Sequence, residues 1–165
     1  MPAIKTSWTT RRLVVAAVIA ALYAALTLLP YSLSYGPIQF RFAEALTVLP
    51  FLLPEAVPGL FIGCLVANLF SPYGLPDIVF GSLATLLAAL VTVRCRKSWL
   101  APLPPVIFTG LIIGALIYVQ TGRAEAFWPT ALLIAAEEAA VVFPLGLTLL
   151  YGMRKIQFFR REWSA

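Results

Sequence analysis

Residues 13–29 read LVVAAVIAALYAALTLL, an apolar run without a single charged side chain that ends at Pro30. A transmembrane α-helix needs about 20 predominantly apolar residues, so this run is nearly long enough to cross a bilayer by itself. The whole chain has the same character, with 61% hydrophobic and 12% charged residues and a mean hydropathy of +0.93. Soluble domains carry about 25% charged residues. The composition predicts an all-α integral membrane bundle.

Five further apolar runs follow, separated by prolines, glycines and polar residues. The six predicted spans cover about residues 13–29, 42–53, 56–70, 78–93, 106–119 and 127–151 of a single domain, 1–165. The basic and then apolar N-terminus resembles a signal peptide in its charge pattern. No polar mature domain follows it, so we interpret it as a first helix that is retained.

The stretch between residues 42 and 70 is open to two interpretations, one kinked helix or two short ones. Pro50, Pro54 and Pro58 favour a break, because proline removes a helical donor and clashes with the preceding turn. With six spans and a cytoplasmic N-terminus, ten of the twelve Lys and Arg residues lie inside, against four of twelve with five spans. The positive-inside rule therefore predicts six spans with both termini in the cytoplasm.

Several kinds of chemistry are excluded by what the chain lacks. It has no histidine, and its two cysteines, Cys64 and Cys95, do not form a Cys-x-x-Cys motif, which argues against zinc or haem and against catalysis of the Ser-His-Asp type. It also has no phosphate-binding loop of the Gly-x-x-x-x-Gly-Lys-Ser/Thr kind. We expect no cofactor and no metal, and any ATP hydrolysis must come from another subunit.

The first span contains two interleaved rows of small residues. One row is Ala16, Ala20 and Ala24, and the other is Ala17, Ala21 and Ala25. A spacing of four places each row on one helix face, where another helix can approach closely. The rows are explained equally well by packing within the bundle and by docking to another membrane protein.

Two adjacent carboxylates, Glu137 and Glu138, stand about ten residues into the last predicted span, between LLIAA and AAVV. Ionisable groups at membrane depth are costly and are candidates for function. Adjacent residues point about 100° apart on a helix, so one can face the bundle interior while the other finds a second polar partner. We therefore predict a functional role for at least one of them.

Further polar residues fall near the ends of the predicted spans. Arg41 and Glu44 are three residues apart and suit a local ion pair, Asp77 suits a helix N-cap, and Asn68 ends the third span. Aromatic residues join them on the outer side in the six-span topology. These are Tyr31, Tyr35, Tyr73, Tyr118, Phe127 and Trp128. An interfacial aromatic belt explains the rings, but together these groups also suit a planar, hydrogen-bonding heterocycle.

Three blocks give the chain a resemblance to a known family. They are residues 38–50 (IQFRFAEALTVLP), 58–64 (PGLFIGC) and 77–86 (DIVFGSLATL). The chain resembles the QueT family, whose members are substrate-binding S components of energy-coupling factor (ECF) transporters for queuosine precursors. The resemblance implies a six-helix bundle with a binding site near the outer face, a transmembrane coupling subunit and two cytosolic ATPases as partners.

The resemblance also implies roles for particular residues. Glu138 matches the glutamate of the family's final helix, since Gly146 then keeps the family's spacing, and Glu137 stands where a small residue is expected. The alanine rows resemble the face that docks on the coupling subunit. For a deazaguanine substrate, the candidate binding residues are Glu138, Glu137, Arg41, Glu44, Asn68, Asp77, Gln39, Tyr35 and Tyr73.

Three alternatives remain at this point. The chain could be an S component for another small nutrient, such as a vitamin. It could be a membrane-embedded enzyme that uses paired carboxylates for acid–base chemistry. It could also be a self-sufficient transporter or channel oligomer, which co-purification with ATPase subunits would distinguish from an S component.

Overall fold

Helices make up all the regular structure in the part of the chain that the computed structural model describes, residues 9–35, 40–122 and 126–155. The elements are α1 (Thr10–Leu28), α2 (Tyr31–Ser34), a 3₁₀ helix (Phe42–Phe51), α3 (Ala56–Asn68), α4 (Ser82–Thr92), α5 (Leu103–Gln120), α6 (Phe127–Val141) and α7 (Leu147–Lys155). A π-helical turn, Asp77–Gly81, leads into α4, and another, Val142–Gly146, joins α6 to α7. The all-α prediction is confirmed.

Within the described ranges, three apolar helical segments are long enough to cross a bilayer. They are Thr10–Leu28, Ser98–Gln120, in which a short 3₁₀ helix (Ser98–Leu100) precedes α5, and Phe127–Lys155. Three shorter apolar helices, Phe42–Phe51, Ala56–Asn68 and Asp77–Thr92, lie among them. Large apolar side chains such as Leu13, Val18 and Leu132 are more than half exposed, as expected for a surface that faces hydrocarbon.

The 3₁₀ helix Phe42–Phe51 is the central element, with every side chain from Ala43 to Phe51 buried. It contacts α1, α3, α4, α6, α7 and the second π turn. The structure differs here from the expected span at residues 42–53. At about 2.0 Å per residue, ten residues in 3₁₀ geometry cover about 20 Å, less than the roughly 30 Å of hydrocarbon in a bilayer.

Local chemistry explains the tight winding of this segment. The Thr47 hydroxyl donates to the Glu44 carbonyl oxygen at 2.6 Å. Pro50 has no N–H to offer an α-helical bond, and the chain leaves the helix at Leu52. Pro54 then lies in the turn before α3, so the three-proline stretch does contain a break between two short helices.

Glycine brings α1 and α3 together at the level of their backbones. A Cβ atom placed on Gly59 would lie 2.6 Å from the Ala16 carbonyl oxygen, and one on Gly63 would lie 2.7 Å from the Ala20 carbonyl oxygen. Any larger residue there would force the two helices apart. This contact holds α1 against the core and places Tyr23, which is fully buried, beside the 3₁₀ helix.

Candidate functional site

A cavity of about 120 Å³ opens between the start of the 3₁₀ helix, the first π turn and helices α4, α5 and α6. This volume corresponds to roughly ten water-sized positions, which suits a small organic molecule. The polar residues in its wall are Arg41, Glu44, Asp77, Thr85, Thr109, Thr130, Glu137 and Glu138. The apolar residues in the same wall are chiefly Ile113, Ile117, Leu133 and Ile134.

Glu138 is the most unusual polar group in this wall. Its side chain is 7% exposed, and its Oε1 atom is buried and receives no hydrogen bond in the part of the chain that the structure describes. A buried carboxylate oxygen without a donor is unfavourable by about 1–3 kcal/mol or more. Glu138 lines the cavity, so a ligand with N–H groups could bind its carboxylate there.

Glu44 lies next to Glu138 and is equally buried, at 5% exposure. The Tyr23 hydroxyl donates to Glu44 Oε1, and the two carboxyl groups are within hydrogen-bonding distance of each other. Two ionised carboxylates repel each other, so this contact requires a proton on one of them. The site therefore holds an acid pair, with one carboxyl group from the 3₁₀ helix and one from α6, and α1 adds the Tyr23 hydroxyl that donates to it.

Arg41 supplies the positive charge of the site and is held from three sides. Its Nη2 donates to Asp77 Oδ2 at 3.3 Å, its Nη1 to Asn68 Oδ1 at 3.2 Å and its Nε to the Ser34 carbonyl oxygen at 3.3 Å. Its guanidinium also stacks on the ring of Tyr35, 4.9 Å from the centroid. A guanidinium with this many partners is fixed in place before a ligand arrives.

Asp77 completes this network from the first π turn. Its Oδ2 accepts from the Ser71 hydroxyl at 2.6 Å as well as from Arg41. The prediction that Asp77 caps a helix is wrong, because Pro76 precedes the turn and the carboxylate is engaged elsewhere. The local pairing suggested for Arg41 and Glu44 is also wrong, since the ion pair of Arg41 among the described residues is with Asp77.

The two tyrosines of the prediction support the network from outside the cavity. The Tyr35 hydroxyl donates to the Ala67 carbonyl oxygen at 2.7 Å, and the Tyr73 hydroxyl approaches the Tyr35 carbonyl oxygen at 3.4 Å. Burial raises the pKa of Tyr35 to about 12, although Arg41 acts in the opposite direction. Tyr35 therefore stays a neutral phenol at physiological pH.

Five of the nine predicted binding residues line the cavity. They are Arg41, Glu44, Asp77, Glu137 and Glu138. Asn68 is fully buried behind Arg41, and its amide group donates to the Asp77 carbonyl oxygen at 3.2 Å, so it positions other groups. Tyr35 and Tyr73 do the same, and Gln39 lies outside the described residues.

Sequence reasoning missed Tyr23 and the three threonines Thr85, Thr109 and Thr130. Threonine is common in membrane helices, and its hydroxyl can bond to its own helix, so the residue type alone gives no signal. Tyr23 is a single aromatic residue in an apolar run. Only its contact with Glu44, 21 positions further along the chain, distinguishes it.

The two alanine rows of α1 have different environments. Ala16 is 8% exposed and lies against Gly59 of α3, so its row packs within the bundle. The row of Ala17, Ala21 and Ala25 is exposed. Of the two explanations open for the rows, internal packing thus accounts for the first, while the second remains an uncovered surface of small residues.

Comparison with known proteins identifies the family of the chain. The profile of the QueT transporter family matches residues 13–155. The chain belongs to the QueT transporter family. It is also similar to the queuosine precursor transporter QueT of Lactococcus lactis subsp. cremoris (strain MG1363), with 40% identity over 76 residues.

The similarity to the Lactococcus protein covers 45% of this chain and 44% of that relative, so it extends over less than half of either protein. The family match is longer and runs from Leu13, within α1, to the end of α7. No solved structure matches the chain. These findings establish a helical membrane protein of a transporter family, and the cavity is its candidate substrate site.

Proposed function

We propose that this member of the QueT family is the substrate-capture subunit, or S component, of an ECF-type ATP-driven importer in a bacterial cell membrane. Its substrate would be a deazaguanine-type precursor of queuosine. The single observation that carries the proposal is the buried carboxyl group of Glu138, which lines a cavity of suitable size and has one oxygen without a hydrogen bond among the described residues. The family membership and the name of the Lactococcus relative support the same substrate class.

The chemistry of a deazaguanine fits this wall. One edge of its ring presents a ring N–H and an exocyclic amine side by side, and a carboxylate accepts both at once. Glu138 would take that edge. Arg41, already fixed by Asp77, would donate to the carbonyl oxygen of the same ring, and the apolar side chains of the lining, such as Ile113 and Ile134, would cover the ring faces.

We further propose six membrane-crossing segments with both termini in the cytoplasm. The three long helices and the three short apolar helices together supply six segments. The charge distribution supports this topology, since ten of the twelve Lys and Arg residues then lie on the cytoplasmic side. The three short segments would cross as a group, with the buried 3₁₀ helix as one of the three.

Energy would come from partner proteins, namely two cytosolic ATPases and a transmembrane coupling subunit. The exposed row of Ala17, Ala21 and Ala25 is the proposed docking face for the coupling subunit, because small residues let a partner helix approach closely. The other row is already used against α3. The chain itself would catalyse no reaction.

The test is ligand binding by the purified, detergent-solubilised protein. The panel contains queuine, the cyano and aminomethyl deazaguanine precursors, guanine and several vitamins. We expect tight binding of deazaguanines only. Binding of a vitamin instead would keep the transporter class and refute the substrate, and binding of nothing by a folded sample would refute the proposed function.

Charge-to-amide substitutions then test the site. Charge-assisted hydrogen bonds contribute about 1.5–3 kcal/mol, so Glu138→Gln is expected to weaken binding about 10- to 150-fold. Glu137→Gln should have a smaller effect, because Glu137 is only partly buried. Glu55→Gln is the matched control, since Glu55 pairs with Arg12 at 2.9 Å away from the cavity. If Glu138→Gln and Glu137→Gln both bind like the parent, carboxylate recognition is wrong.

A further inference from the structure

The acid pair formed by Glu44 and Glu138 has a property that ring recognition by Glu138 alone does not require. Both carboxyl groups are buried, and they contact each other directly. In a low-dielectric site two adjacent carboxylates cannot both be ionised unless a positive charge compensates them. Without such a charge, one proton is shared between them.

Arg41, the cation that faces the acid pair, already has other partners. Arg41 lines the same cavity, but its guanidinium lies 3.3 Å from Asp77 and also donates to Asn68, so its single charge is divided between Asp77 and the acid pair. The Tyr23 hydroxyl donates to Glu44 but carries no charge. Nothing in this arrangement supplies a full positive charge to the second carboxylate.

The groups that face the pair come from each element packed around it. The titratable or charged ones are Tyr23 on α1, Arg41 at the start of the 3₁₀ helix, Cys64 on α3, Asp77 in the first π turn and Glu137 on α6. The polar side chains that α5 and α4 contribute to the cavity are Thr109 and Thr85, which are both uncharged. Apart from Arg41, these groups are neutral or negative, so they favour positive charge in the cavity.

We propose that the site selects ligands that carry an ammonium group, and that the ammonium displaces the proton shared by Glu44 and Glu138. This inference rests on the proposed function and names the substrate class more closely. The ring edge would occupy Glu138, the ammonium would lie beside Glu44, and one proton would leave for the solvent. One positive charge replaces another, so the net charge buried in the cavity stays the same.

Two ligands of nearly equal size distinguish this proposal from the proposed function, which requires only that deazaguanines bind. The aminomethyl deazaguanine carries an ammonium group, and the cyano deazaguanine has the same ring without a charge. Titration calorimetry in two buffers of different ionisation enthalpy, at one pH, gives the number of protons released on binding. We expect about one proton for the aminomethyl ligand and none for the cyano ligand.

Because binding of the aminomethyl ligand releases a proton, its affinity must also depend on pH. Where the pair holds its proton, the Kd of the aminomethyl ligand should rise about tenfold for each unit that the pH is lowered, while the Kd of the cyano ligand stays level. Equal proton counts for the two ligands, or a Kd ratio that does not change with pH, would overturn the proposal. Failure of both ligands to bind would refute the proposed function itself.

A variant identifies the source of the proton. In Glu44→Gln the pair no longer shares a proton, so the aminomethyl ligand should lose affinity at least tenfold and release none. Binding of the cyano ligand by the same sample shows that the variant is folded. If Glu44→Gln still releases a proton, that proton comes from Glu138 alone or from the ligand's own amine and not from a shared pair, and the proposal is wrong. If this variant does not fold, the number of protons that the parent protein releases on binding each ligand tests the proposal.

Discussion

Gly63→Ala tests the backbone contact that places α1 against the core. The added Cβ would lie 2.7 Å from the Ala20 carbonyl oxygen, 2.8 Å from Tyr23 Cβ and 3.0 Å from Ala20 Cα. Two of these atoms belong to the backbone, which cannot rotate away as the end of a flexible side chain can. We therefore expect α1 and α3 to separate by several tenths of an ångström.

The expected size of the effect follows from a matched control. Gly152→Ala makes the same chemical change in α7, where an added Cβ has nothing within 4 Å. Alanine favours a helix over glycine by about 1 kcal/mol at both positions, so this gain cancels in the comparison. What remains is the cost of overpacking, about 1–3 kcal/mol.

Thermal unfolding in detergent measures that difference. For a chain of this size, 1 kcal/mol corresponds to about 2–4 °C, so Gly63→Ala should melt roughly 2–12 °C below Gly152→Ala. Ligand affinity should also fall, because Tyr23 carries the hydroxyl that donates to Glu44. Equal melting temperatures for the two variants would show that α1 and α3 do not pack backbone to backbone.

Three further predictions concern the docking face, the fixed arginine and the topology. Ala17→Leu should leave folding and ligand binding intact but abolish co-purification with a coupling subunit. Ala16→Leu, in the packed row, should instead lower the melting temperature. If Ala17→Leu lowers the melting temperature and Ala16→Leu abolishes co-purification, the roles of the two rows are exchanged. Arg41→Lys should raise the Kd of the ligand, because one ammonium group cannot replace the forked guanidinium that donates to Asp77. An unchanged Kd would show that Arg41 is not part of the binding site. Burial raises the pKa of the Cys95 thiol, so labelling by a charged maleimide should be slow at neutral pH and accelerate about tenfold per unit of rising pH. That label should react in inside-out vesicles and not in intact cells, and labelling of intact cells would invert the topology.

The strongest part of the sequence-based prediction concerned charge in an apolar setting. Glu137 and Glu138 interrupt a hydrophobic helix, and the structure places both in the cavity wall. Such residues are conspicuous because the membrane makes them costly. Arg41 and Asp77 were also identified, but their pairing with each other was not, since 36 positions separate them in the chain.

The helix type of residues 42–51 could not be predicted from the sequence. From Ala43 to Phe51 every side chain is buried, so no polar stripe exists to distinguish a repeat of 3.0 residues from one of 3.6. The partition of the alanine rows was equally inaccessible. Ala16 and Ala17 differ only in that Gly59 meets one of them, which is a property of the fold and not of the sequence.

Tyr23 and the exposed alanine row belong to the same rigid helix but face in different directions. The phenol of Tyr23 reaches Glu44 at the edge of the cavity, while Ala17, Ala21 and Ala25 lie on the surface. A hydrogen bond weakens within a few tenths of an ångström, so any shift of α1 against the 3₁₀ helix is felt at the carboxyl pair. The surface of α1 and the cavity are thus energetically linked, and by reciprocity a ligand that fixes Glu44 also fixes the position of α1.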